Sequence, residues 1–241
     1  MKHHLFLLIL LVFTSNLHSE SILCIGNSFT YVDSADVKLR HIAASQGHKL
    51  NINSQTQGGY TFQRHLRRDE TLSAIIYHRF DYVFMQDQSQ TPALYAQSPR
   101  RCHYIVEDAC ELADRIRMYS PDAQFIMEQT WAYPAGNAGG FGSMDEFDRL
   151  LRKGAKKMAR RMHAIVSPIG EAFRLCRETH PEISLYAPDG KHQSAEGSYL
   201  KACVNYLLLF PAPFAAPLPT EGLSEDTVTI LANIAEQIVL R

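Results

Sequence analysis

The 241-residue sequence contains no Cys-x-x-Cys pair and no His-Glu-x-x-His or similar ligand spacing. That lack argues against a structural or catalytic zinc, and nothing else in the pattern calls for a cofactor. An excess of charge of either sign is also missing. Twenty-four Lys and Arg face 25 Asp and Glu, for a net −1, so no basic field advertises nucleic acid or an anionic membrane surface. The apolar run Leu5 to Phe13 is too short to cross a bilayer. Internal repeats and low-complexity stretches are absent, and no obvious linker divides the chain, which favours one domain over residues 20–241. Five cysteines are an odd number, so at least one stays free or pairs between chains. Cys102 and Cys110 fall on one expected helix, about 12 Å apart at 1.5 Å per residue and too far to bond. A Cys176–Cys203 bridge stays open.

What is present begins with Lys2, the apolar run and the polar Thr14 to Ser19, the order of a secretory signal peptide. Cleavage is expected after Ser19. An exported protein, periplasmic or secreted, would then start at Glu20 with no stable membrane insertion. Cys24 lies inside the first apolar strand and reads as core.

That strand, Ser21 to Ile25, stops at Gly26-Asn27 and gives way at once to Ser28 and a helical pattern. A buried parallel strand that turns sharply into a helix exposes its turn serine at the carboxyl edge of a sheet. There the first amides of the helix can hold developing negative charge. Near the other end, Asp189-Gly190-Lys191-His192 sets a carboxylate within reach of an imidazole in a Pro/Gly-punctuated loop before a further helix. Each stretch alone has an ordinary structural alternative, a capping serine and a turn aspartate beside a solvated histidine. Together they offer a nucleophile, a base and an orienting acid.

Four blocks in order, Gly26-Asn27-Ser28-Phe29-Thr30, Gly58-Gly59, Gln86-Asp87-Gln88-Ser89 and Asp189-Gly190-Lys191-His192, resemble the SGNH hydrolases, the GDSL-type esterases, in a Gly-Asn-Ser branch. The resemblance covers most of the expected mature chain. It implies Ser28, His192 and Asp189 as nucleophile, base and acid. It further implies an oxyanion hole from the amides of Ser28 and Gly59, with Gly58 as the alternative. Relatives commonly add an Asn side chain from the third block, and none stands here. A Gln carries the same NH2 donor; Gln86, nearest the strand end, is the favoured candidate and Gln88 the alternative. Asn27, Trp131 and Tyr133 are expected to contact substrate. That substrate is a small-molecule or glycan acyl ester, with acetyl on a carbohydrate favoured over a lipase, a thioesterase or a silent carbohydrate-binding protein.

Further strands are expected at Lys49 to Ser54, Asp81 to Met85, Ala123 to Met127 and Ile165 to Ile169. Helices are expected at Ala35 to Ser45, Thr61 to Arg68, Glu70 to Arg79, Pro99 to Tyr119, Met144 to Met162, Glu171 to Glu178, Ala195 to Phe210 and Ser224 to Leu240. Alternating strands and helices imply a three-layer α/β/α sandwich around a five-stranded parallel sheet. The resemblance implies the flavodoxin-like order 2-1-3-4-5.

Overall fold

The computed structural model describes residues 19–134 and 140–241. The expected signal segment therefore lies, except for Ser19, outside the described residues. From Ser19 the chain alternates. Strand β1 (Ser19–Gly26) is followed by α1 (Ser28–Tyr31) and α2 (Ala35–Ser45), and β2 (Lys49–Thr56) by α3 (Phe62–His65) and α4 (Asp69–Tyr77). Next come β3 (Tyr82–Met85), α5 (Thr91–Gln97) and α6 (His103–Tyr119), then β4 (Gln124–Glu128) and α7 (Met144–Met162). Strand β5 (Ile165–Ser167) leads to α8 (Ile169–Thr179), α9 (Ala195–Leu209) and α10 (Glu225–Val239).

The strands form one parallel sheet in the order β2-β1-β3-β4-β5. Because side chains alternate along a strand, each central strand feeds two cores. Ile22, Cys24, Phe84 and Ile126 pack with α2, α8, α9 and α10, whereas Leu23, Ile25, Val83, Met85, Phe125 and Met127 pack with α4, α6 and α7. This is the expected three-layer sandwich. Since all strands run the same way, the loops after β1, β3 and β4 leave from one edge.

Serines cap several of the helices. Ser143, Ser194 and Ser224 each accept the backbone N–H three residues on, at 3.1 Å, opening α7, α9 and α10. Several boundaries differ from expectation by a residue or more, and two of the changes involve a proline. The helix expected from Pro99 begins at His103, and a separate α5 with Pro92 in its first turn precedes it; proline's fixed φ suits that position. Strand β5 stops at Ser167, because Pro168 cannot donate to the ladder and instead opens α8. All five cysteines are free thiols, so the Cys176–Cys203 bridge left open by the sequence is not formed. Burial pushes the Cys176 thiol up to about 11, and those of Cys24 and Cys203 higher still.

Candidate active site

Ser28 is the first residue of α1, so its amide has no intrahelical acceptor. The turn before it is tight. A Cβ on Gly26 would lie 2.1 Å from Thr30 Oγ1 and 2.8 Å from Gln86 Oε1, so only glycine fits. Asn27 caps the helix, its Oδ1 accepting from Phe29 N at 3.1 Å.

The 189–192 loop comes to the same edge. His192 Nε2 lies 2.8 Å from Ser28 Oγ, and His192 Nδ1 lies 2.5 Å from Asp189 Oδ2. An ionised carboxylate can only accept, so Nδ1 carries the proton and Nε2 is left to accept from the serine hydroxyl. Asp189 Oδ1 accepts the amides of Lys191 and His192, each at 3.0 Å. The hydrogen bond from His192, reinforced by these two amides, lowers the Asp189 carboxyl to about 2. Gly190, at φ +64°, allows the chain to fold back over the carboxylate. Residues 164 positions apart thus form one hydrogen-bonded chain from serine to histidine to aspartate.

The Gly58-Gly59 turn sits beside the Gly26-Asn27-Ser28 turn. Gln57 N donates to Gly26 O at 3.3 Å and Asn27 Nδ2 to Tyr60 O at 2.9 Å, while Gly59 has φ +69°. A cleft of about 290 Å³ opens against this turn, lined by residues that include Gly59, Thr61, Arg64, Asp87, Tyr104 and Asp108. Asp87 lies at its inner wall. Its Oδ1 accepts Phe62 N at 3.0 Å and Gln88 N at 2.8 Å, and burial raises its carboxyl to about 6 despite those bonds.

Three expectations are corrected. Gln86 is 1 % exposed, and its side chain braces the turn. Its Oε1 accepts Asn27 N and Thr30 Oγ1, each at 3.0 Å, and its NH2 is turned onto the carbonyl of Asp87. One N–H of that NH2 is committed to Asp87 O and the side chain is enclosed, which sets it against the oxyanion role. Gln88 Oε1 accepts Gln90 N at 2.8 Å; its half-exposed NH2 has no hydrogen-bond partner among the described residues. Asn27 is buried, with both side-chain ends committed to Phe29 N and Tyr60 O, so it shapes the turn rather than meeting substrate. Trp131 and Tyr133 are 1 % and 2 % exposed. Trp131 stacks between Phe29 and Phe173, centroids 4.7 and 4.4 Å away, and donates to Lys191 O at 3.1 Å, while Tyr133 O–H meets Ser89 Oγ at 3.1 Å. Both rings lie enclosed against the 189–192 loop instead of walling a pocket.

One residue of the site has no signal in the sequence. His65 is fully buried, with Nε2 2.9 Å from Gly26 O and Nδ1 3.0 Å from Thr71 Oγ1. The carbonyl can only accept, so Nε2 carries the proton and Nδ1 accepts the Thr71 hydroxyl. Desolvation lowers His65 to about 4, and the neutral ring pins the carbonyl at the end of β1. Among the described residues no group of three His, Cys, Asp or Glu side chains could hold a metal ion, and no helix is long and apolar enough to cross a membrane.

No family model and no curated protein matches the chain. Solved structures do match it. A DUF4886 family protein from Bacteroides uniformis aligns over 92 % of this chain and 95 % of its own, with TM-score 0.80 and 19 % identity. A candidate SGNH hydrolase from Slackia heliotrinireducens aligns over 80 % and 100 %, with TM-score 0.64 and 23 % identity. An acetylxylan esterase from Geobacillus stearothermophilus aligns over 78 % and 93 %, with TM-score 0.54 and 14 % identity. Catalytic mutants of that esterase replace a histidine and an aspartate.

Proposed function

We propose, from the SGNH-hydrolase fold of this chain, that it is a serine esterase that cleaves an O-acyl ester, acetyl on a carbohydrate, through an acyl-enzyme. The hydrogen-bonded chain of Ser28, His192 and Asp189 carries this reading. Ser28 Oγ attacks the ester carbonyl while His192 Nε2 takes its proton, and Asp189 holds the tautomer and offsets the imidazolium charge. The tetrahedral oxyanion is met by the amides of Ser28 and Gly59, with Gly58 as the alternative and the Gln88 NH2 as the free side-chain donor of the third block. Each such donor is worth about 2.7–4 kcal/mol in the transition state. Collapse expels the alcohol, which takes the proton from His192. Water then repeats the sequence on the acyl-enzyme and releases the acid.

The carbohydrate preference is supported by the polar lining of the cleft beside Gly59, where a carboxylate, a guanidinium and the half-exposed Tyr104 suit a hydroxylated alcohol better than an acyl chain. The likeness to an acetylxylan esterase points the same way. A signal peptide at residues 1–19 would deliver the enzyme to such substrates, and sequencing the terminus of protein from the source cell tests that part.

The function is tested by a p-nitrophenyl ester series together with acetate release from acetylated polysaccharides. Specificity should be highest at acetate and fall by hexanoate, since each methylene is worth about 1–3 kcal/mol in a size-limited pocket. Ser28→Ala should abolish turnover with unchanged circular dichroism. Specificity rising to octanoate would replace the acetyl assignment by a lipase or thioesterase. A wild-type protein that binds acetylated glycan without releasing acetate would make it a binding protein.

A further inference from the structure

Helix α9 is buried on nearly every side, yet one stripe of it is polar. Ser198, Lys201 and Asn205 follow each other at helical spacing, and each is at most 4 % exposed. Such groups weaken a core unless every one is bonded. Here all are. Ser198 Oγ donates to Val32 O at 3.1 Å, and Lys201 Nζ donates to Phe29 O at 3.0 Å and to Glu128 Oε2 at 2.7 Å. Asn205 Nδ2 donates to Glu128 Oε1 and its Oδ1 accepts from Ser167 Oγ, both at 2.7 Å. The stripe therefore runs from the ends of β4 and β5 to the carbonyls of the nucleophile segment.

Those carbonyls need partners. Helix α1 is only four residues long, and Asp33 and Ser34, at φ 55° and 53°, break the chain out of helical geometry directly after it. Phe29 O is thereby left without an intrahelical donor, as happens at any helix end. Lys201 supplies that donor, with the Gln193 amide adding a longer contact at 3.4 Å. Ser28 is the neighbour of Phe29, and His192 stands three residues before α9. The Lys201 contact thus ties the element that carries the serine to the element that follows the histidine.

We propose that Lys201, held by Glu128, is a positioning residue: it sets the register between α1 and α9 and with it the 2.8 Å approach of Ser28 Oγ to His192 Nε2. This rests on the esterase reading above. Lys201 touches no reacting atom, so its removal acts on kcat through geometry. A misplacement of about 1 Å lowers turnover on the order of 100-fold.

Lys201→Met alone strands the Glu128 carboxylate in the core and is expected to lose the fold. The informative protein is the double variant Lys201→Met/Glu128→Gln, which replaces the buried pair by neutral groups of similar size, an exchange that is often neutral for stability. Its partner is Ser167→Ala, which cuts the same network at its far end without touching α1. With p-nitrophenyl acetate, the double variant should melt cooperatively above the assay temperature, lose about tenfold or more in kcat and keep KM within about twofold, while Ser167→Ala keeps its kcat. A folded double variant with wild-type kcat overturns the proposal. So does a double variant that does not fold, or an equal kcat loss in Ser167→Ala, because the stripe would then be core architecture alone. Failure of the esterase reading looks different: the wild type itself would be inactive.

Discussion

Replacing Gly26 by alanine would build a methyl group 2.1 Å from Thr30 Oγ1 and 2.8 Å from Gln86 Oε1. Relief requires a shift of about 1 Å at an atom held by a stiff β-branched side chain. Rotating Thr30 about χ1 carries Oγ1 away but still leaves Cβ at 3.1 Å, a few tenths of an ångström too close. Either that rotation or a shift of α1 breaks the 3.0 Å bond from Thr30 to Gln86, whose Oε1 also holds Asn27 N. Overpacking costs about 1–3 kcal/mol and the lost hydrogen bond about 0.5–1.5 kcal/mol, so Gly26→Ala should destabilise the fold by about 2–4 kcal/mol in urea titrations. Ser28 follows within two residues, so kcat should fall on the order of 100-fold even in the fraction that is folded. Adding Thr30→Ala removes the closest clash and should restore part of both losses. A Gly26→Ala protein with wild-type midpoint and turnover would refute this account of the turn, and a double variant no better than the single would refute the role of Thr30 in it.

Asp189→Asn should keep its Oδ1 on the amides of Lys191 and His192 and turn an NH2 toward His192 Nδ1. That selects the wrong tautomer, so kcat should drop on the order of 10⁴-fold with the melting temperature little changed, and near-wild-type turnover would remove Asp189 from the mechanism. Asp87 holds its proton in the folded state to about pH 6, against 3.8 for an ordinary aspartate. Its contribution is therefore fully present below about pH 4 and is lost as pH rises through 6. Asp87→Asn can keep both amide contacts through Oδ1, so thermal melts from pH 4 to 7 should lose part of the wild-type decline; an identical slope in the variant would contradict the assignment. His65 carries the opposite sign, being lowered to about 4, so its stabilisation is full above pH 6.5 and fades on acidification toward 4, a loss that His65→Gln should reduce in the same melts.

The serine, the aspartate and the histidine were legible because each sits in a local pattern: a strand that ends in Gly-Asn-Ser, and a carboxylate three residues before an imidazole in a turn. The backbone of Gly59 was legible for a related reason, as a glycine pair after a strand permits the positive φ observed. What failed to read depended on burial and direction. Trp131 and Tyr133 carry the chemistry of a pocket wall, and only the placement of Phe29, Phe173 and Ser89 around them makes them core. Gln86 has the right donor, but its direction at the strand end gives that donor to Asp87 O, while its Oε1 accepts from Asn27 N and Thr30 Oγ1. His65 answers a backbone carbonyl, and carbonyls leave no trace in a sequence. Lys201 looks like a surface lysine until α9 is seen to be enclosed on nearly every side.

The unpaired sulfurs set how the protein meets oxidants. A thiol reacts as its thiolate, and Cys24, Cys176 and Cys203 are enclosed and held protonated far above neutral pH. Cys102 and Cys110 are only partly covered, and burial raises the Cys110 thiol as well. No cross-link within the chain therefore contributes to this fold. Titrated with a thiol reagent, the native protein should react at Cys102 and Cys110 first, and the three enclosed sulfurs should become visible only as the sheet unfolds, which makes them a built-in clock for its opening.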